Sequence, residues 1–211
     1  FLTDYNDILD NADIKPENYI NKAWDMSDLN GGHYGIPLDV HTYATYVNMD
    51  LYEKYGNGEL DDDIITYDEI KTLSEKTKVD GIYGTAVAWD RACFLGTLGH
   101  MGGTLSEDGT EPSFVNDKSL NVFKLWNELQ EAEYMPKEGD TPWEMFLGGQ
   151  ILVCPEGIWM YNHVKEAELN AKMYEFPALS ANERGGWTSS HQFVLPKDDS
   201  RSEEETKAAL D

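Results

Sequence analysis

Apolar residues recur at Tyr19, Ile20, Ala23 and Trp24, behind a proline at position 16 suited to a first turn. That spacing predicts an amphipathic helix, closed by Asn30-Gly31-Gly32. The pattern then shortens. Tyr34 to Leu38 and Thr42 to Val47 read as two extended segments rich in β-branched and aromatic residues, and Asn48 is placed to cap a short helix through Leu51 and Tyr52. Thr66-Tyr67-Asp68-Glu69 is a capping box for a helix carrying Ile70 and Leu73. Gly81 precedes a strand over Ile82 to Ala88, and Asp90 caps a helix that runs toward Met101 and stops at Gly102-Gly103. Beyond an Asp108-Gly109 turn lies the longest helical stripe, Asp117 to Glu133, with Val122, Trp126, Leu129 and Glu133 on one face, which assigns Trp126 to the core.

Thr141-Pro142-Trp143-Glu144 combines a cap, a first-turn proline and a reciprocal glutamate, and predicts a helix ending at Gly148-Gly149. Ile151 to Cys154 follows as a short buried strand, Gly157 to Val164 as a helix, Met173 to Phe176 as an extended segment and Ala181 to Gly186 as a polar loop. A strand over Gln192 to Leu195 comes next, and Ser202 to Glu205 opens like a capping box. Helices and strands alternate throughout, the pattern of an α/β fold.

Composition narrows the function classes. Hydrophobic residues at 40 % and aromatic residues at 12 % supply a core, while 16 basic against 40 acidic residues leave a formal charge of −24. Such a field repels phosphate backbones and anionic bilayers, so nucleic acid is excluded as a partner, and the acidity itself reads as a solvated surface. No run approaches the roughly 18 apolar residues of a membrane span, and no signal peptide opens the chain. The chain starts at Phe1, and its last helical pattern stops within about two turns; the expectation is a fragment of a longer parent. Cys93 and Cys154, far apart and outside any C-x-x-C spacing, read as two buried thiols.

Most catalytic signatures are missing. His33, His41, His100, His163 and His191 are dispersed and show no metal-ligand spacing, so no metal is expected. Asp61-Asp62-Asp63 lacks the order of a calcium loop and reads as a solvated acidic loop. The glycines at 96, 99, 102 and 103 match no phosphate cradle, no G-x-S-x-G elbow occurs, and no cofactor is implied. What remains is aromatic residues beside polar ones at element boundaries: Asp39, His41 and Tyr43; Trp89, Asp90 and Arg91; Glu156 and Trp159; Trp187, Ser189 and His191. A pyranose has a C–H face that packs on an indole or phenol and a rim of hydroxyls that carboxylates, Arg, His and Ser hydrogen-bond. Each aromatic taken singly is more often core than platform.

The run Tyr34-Gly35-Ile36-Pro37-Leu38-Asp39-Val40-His41, continued by Tyr46-Val47-Asn48-Met49-Asp50-Leu51-Tyr52, resembles the extracellular solute-binding proteins of the maltose-binding-protein-like family. Thr66 to Ile70, with Tyr67 in place of the family's usual tryptophan, Gly102-Gly103, Phe146-Leu147-Gly148-Gly149-Gln150 and Gly157-Ile158-Trp159 follow in the family's order. The resemblance implies a type II periplasmic-binding-protein-like α/β fold with one lobe complete. By that analogy residues 45–180 form the complete lobe, 1–44 the severed part of the first lobe with a first hinge crossing, and 181–211 the second crossing and return. It also implies a carbohydrate held in a cleft between lobes, delivery to ABC permease subunits, and a lipoprotein or periplasmic location. Trp159 is the residue expected to stack on sugar; Asp39, His41, Tyr43, Trp89, Arg91, Trp187 and His191 are expected in the cleft wall, and no residue is given a catalytic role. The alternative is a glycoside hydrolase drawing two carboxylates from Asp39, Asp90 and Glu156.

Overall fold

A computed structural model describes residues 1–9, 12, 14–56, 60, 64–137, 139–180 and 185–210. The predicted acidic loop at Asp61-Asp62-Asp63 and the first four residues of the predicted polar loop at 181–186 lie outside the described residues. In chain order the helices are α1 (Asn21–Asp25), α2 (Met49–Tyr55), α3 (Tyr67–Thr77), α4 (Asp90–His100), α5 (Asp117–Glu131), α6 (Pro142–Leu147), α7 (Tyr161–Glu166) and α8 (Glu203–Leu210). The strands are β1 (Asp28–Leu29), β2 (Gly32–His33), β3 (Ile36–Pro37), β4 (His41–Asn48), β5 (Val153–Gly157), β6 (Ala171–Tyr174), β7 (Thr188–Ser189) and β8 (Gln192–Phe193). Two compact units result, one of Phe1–His41 with Thr188–Asp211 and one of Thr42–Trp187.

The larger unit is built on β4. Antiparallel β5 and β6 flank it in the order β5-β4-β6, with Tyr43 opposite Gly157, Tyr46 opposite Cys154 and Val47 opposite Lys172. Because successive side chains alternate across a strand, Val47 joins Ile65, Ile70, Leu73, Leu129, Leu152 and Tyr174 on one face. Tyr46 joins Trp143, Phe146, Ile151 and Val164 on the other. Both faces are covered by helices, which is why residues 43–48 are buried without the alternation of a half-exposed strand. Tyr43 packs with Ala92, Cys93 and Phe176, and Trp126 lies half-buried against that group.

Several caps stand as the residue pattern predicts. Asn48 accepts from the Leu51 N–H, Thr66 and Glu69 close a reciprocal capping box, and Ser202 and Glu205 do the same ahead of α8. Gly102 ends α4 at φ +66°, a left-handed turn that other residues adopt only with strain.

Other expectations are corrected. The early helix is interrupted: Pro16–Asn18 forms a 3₁₀ turn, Tyr19 and Ile20 are extended, and α1 is a single short stretch with Ala23 as its buried residue. Ile20, 62 % exposed, had no core to face. Ile82 to Ala88 is not a strand; it makes one bridge, Tyr83 to Ile151, and the Gly84 and Thr85 N–H groups both donate to the Tyr134 carbonyl. Asp90 is the first residue of α4 rather than its cap, and Thr141 precedes α6 without a side-chain cap bond. The strand expected at Ile151 to Cys154 occupies Val153–Gly157, so Gly157 belongs to it and not to the helix that follows.

The smaller unit ties the two ends of the chain together. β3 pairs with β8, the Thr3 N–H donates to the Leu195 carbonyl and the Lys197 N–H to the Phe1 carbonyl. Its core holds Tyr5, Ala23, His33 and Ile36. Trp24 stacks on the His33 ring at 4.2 Å, and the Tyr5 hydroxyl donates to the Phe193 carbonyl.

Candidate ligand site

In the larger unit, four of the expected aromatic residues meet where β4 and β5 begin and end together. Tyr43 is paired with Gly157, so the chain leaving β5 turns beside the Tyr43 ring and carries Trp159 back over it, 5.7 Å between centroids at 73°. Gly157 is required here, because a Cβ at that position would overlap the Trp159 indole. Trp187 is fixed from the other side of Tyr43 by two bonds to its carbonyl, from Thr42 Oγ1 at 2.7 Å and from the Tyr43 N–H, and its ring meets Tyr43 edge-on at 5.7 Å. Trp89, immediately before α4, meets Trp159 edge-on at 6.2 Å.

Exposure separates platform from core. Tyr43 is buried at 2 % exposure, whereas Trp159 and Trp89 are 42 % and 56 % exposed, which leaves much of both indoles on the surface. Arg91 is exposed in the first turn of α4, two residues beyond Trp89. Two indoles held edge to face, one of them edge-on to a buried phenol, offer exposed apolar ring surface together with polar N–H groups, the mixed character that a sugar ring needs.

Beneath this surface lies a group that the residue pattern suggested both as a polar neighbour of Trp159 and as a hydrolytic carboxylate. Glu156 is 2 % exposed, on a strand buried at every residue, and its Oε1 accepts from the Gly157 N–H at 2.7 Å. Burial pushes its carboxyl above the usual range, against the Gly157 N–H bond that favours the anion. The Tyr43 hydroxyl is raised by its own burial and then by Glu156, and burial holds the Cys93 thiol up at about 12. Both cysteines are free and buried, as expected. In sequence Glu156 stands out as the one carboxylate in an otherwise uncharged Leu152 to Gly157 run.

Asp39, His41 and His191 come together in the smaller unit. Leu38 donates its N–H to the His191 carbonyl, and the His191 N–H donates to Asp39 Oδ1 at 2.9 Å. The two carboxylate oxygens also face both imidazoles, with His191 Nδ1 at 2.9 Å from Oδ2 and His41 Nδ1 at 3.2 Å from Oδ1. The His191 backbone and side-chain bonds hold the Asp39 carboxyl far below the usual carboxylate range. The histidines that look dispersed along the sequence are therefore not all apart in space.

The family described as bacterial extracellular solute-binding protein matches residues 2–210. The chain belongs to that family. The maltodextrin-binding protein MdxE of Bacillus subtilis is 28 % identical over 207 residues, covering 88 % of this chain and 49 % of its own length. Among solved structures, the substrate-binding protein Lmo0181 of Listeria monocytogenes, in complex with cycloalternan, superposes with a TM-score of 0.81 at 21 % identity, over 99 % of this chain and 55 % of that one. UgpB of Mycobacterium tuberculosis, in complex with glycerophosphocholine, superposes at 0.80 and 16 % identity, over 99 % and 53 %. These solute-binding proteins share the type II periplasmic-binding-protein-like α/β fold, and this chain spans about half the length of its relatives.

Proposed function

We propose that the full-length protein is the substrate-capturing subunit of an ABC importer, binding a mono- or oligosaccharide and presenting it to permease subunits in the membrane. It would work outside that membrane, lipid-anchored or free in a periplasm. The observation that carries the reading is the exposed pair Trp159 and Trp89 braced on buried Tyr43. Trp159 supplies the stacking face, Trp89 and Trp187 its flanks, and Arg91 a hydrogen-bond donor for hydroxyls. Maltodextrin as the ligand of a relative supports a saccharide. Fold alone does not choose it, since a structure of the same fold holds glycerophosphocholine.

No residue is assigned a catalytic role. The hydrolase alternative needs two carboxylates facing one glycosidic bond. Glu156 is buried and Asp39 is engaged by two histidines, which speaks against both.

Calorimetry of the full-length protein against a maltodextrin series, with glycerophosphocholine as the contrasting ligand, tests the class. Saturable saccharide binding without cleavage is expected. Trp159→Ala should weaken it about tenfold, roughly 1.4 kcal/mol for one stacking face, with little change in Tm. Unchanged affinity with a stability loss of about 3 to 5 kcal/mol would make Trp159 a core residue and end this assignment. Binding of the phosphodiester alone would overturn the saccharide.

A further inference from the structure

We propose that Asp39, His41 and His191, all of the smaller unit, form a binding site for a transition-metal dication of the zinc class. One donor atom from each of the three residues can be chosen so that all lie within 4.8 Å of one another. Two cis donors on a tetrahedral ion with bonds of about 2.0 to 2.1 Å stand about 3.4 Å apart, so the required contraction is at most about 1.5 Å. Side-chain torsions alone can supply that. The imidazole rings already lie 4.6 Å apart at 30°, with both Nδ1 atoms turned to one carboxylate.

The local backbone explains the convergence. Asp39 lies two residues before His41, in the short connection between β3 and β4, and its Oδ1 stands 3.2 Å from His41 Nδ1. The Leu38 N–H bond to the His191 carbonyl, continuing the β3–β8 pairing, brings the third ligand across from them. A carboxylate oxygen only accepts, so each Nδ1 carries a proton that it donates to Asp39. A dication replaces those two protons: both imidazoles bind as neutral ligands, Asp39 binds as the anion, and the two Nδ1 protons leave to solvent if the rings were imidazolium cations protonated at both nitrogens, or shift to Nε2 if the rings were neutral.

Donor type sets the ion class. Two nitrogens and one carboxylate oxygen suit zinc, copper or nickel, whereas calcium and magnesium take oxygen ligands. The His191 side chain is 69 % exposed and that of Asp39 41 %, so the ion has an approach from solvent and room for water as a further ligand. The other described histidines are differently placed. His33 is buried, stacked on Trp24 and bonded to Asp28; His163 accepts from the Trp143 indole N–H; His100 meets the Gly185 carbonyl.

The test is titration of the metal-stripped full-length protein with zinc chloride by calorimetry, repeated for His41→Gln, His191→Gln and the double variant, with calcium chloride as a control. One saturable zinc site is expected, about tenfold or more weaker in each single variant and lost in the double variant, with no comparable calcium binding. Circular dichroism and Tm in a chelator verify that the variants are folded. If His41→Gln unfolds the protein, the cobalt(II) visible spectrum of wild type against His191→Gln decides: a nitrogen-ligated spectrum lost in the variant supports the site. Zinc binding equal in wild type and the double variant, a cobalt spectrum unchanged by His191→Gln, or no saturable binding overturns it. None of these readouts involves sugar, so failure here leaves the ligand proposal standing.

Discussion

Glu156 is a buried carboxyl whose charge state is linked to folding. Its carboxyl, ordinarily near 4.5, is raised by burial in the folded chain. Above pH 4.5 the native state therefore holds more protons than the unfolded chain, and stability falls as pH rises until the folded carboxyl has also ionised. Glu156→Gln keeps an oxygen for the Gly157 N–H and removes this dependence. The variant should thus gain Tm relative to wild type between pH 4.5 and neutrality, as thermal melts at matched ionic strength would show; an unchanged difference across that range would mean that Glu156 titrates as an exposed glutamate. The aromatic residues around it were legible in sequence, because tryptophans at strand ends beside Arg and Tyr stand out in a single chain. The contact of Asp39 and His41 with His191 was not, since it depends on the β3–β8 register and no local pattern encodes that pairing.

At the scale of elements, the capping boxes carried the clearest local information because their partners sit three residues apart. Thr66 Oγ1 accepts from the Glu69 N–H at 3.2 Å, while the Thr66 N–H donates to Glu69 Oε2 at 2.7 Å. α3 delivers Ile70 and Leu73 to the core from that start. Thr66→Ala should cost about 1 kcal/mol in urea unfolding, and Thr66→Ser much less, because only the former loses the acceptor. Equal losses would point to the Thr66 methyl instead of its hydroxyl. Where sequence reading erred, a distant partner decided the outcome. Ile82 to Ala88 has strand composition, yet its Gly84 and Thr85 N–H groups are taken by Tyr134, a residue beyond α5, in place of a ladder. Tyr19 and Ile20 have helical spacing, but no apolar surface faces Ile20, and the Tyr19 ring turns to Trp24 at 5.2 Å.

For the whole molecule, the alternation of elements was enough to give the α/β class, and the ordered motifs around Tyr34 to Tyr52 and Gly157 to Trp159 were enough to give the family. We propose that residues 45–180 hold together as an autonomous lobe, since the second half of β4, all of β5 and β6 and the helices covering them come from that stretch. Limited proteolysis should leave α5 and β5 intact while the chain ends are trimmed; early cleavage inside either element would contradict the boundary. The smaller unit has the opposite construction, and this has a consequence for synthesis. β3 finds its partner only when Gln192 and Phe193 have emerged from the ribosome, roughly 10 to 30 s after β3 itself at ordinary elongation rates. By the end of that interval the stretch containing β4 through β6 is complete and can bury its core, whereas Ile36 still waits unpaired. The segment ending in β3 thus waits longest for its partner, and a holdase that prevents its mispairing would act on that segment rather than on the lobe made after it.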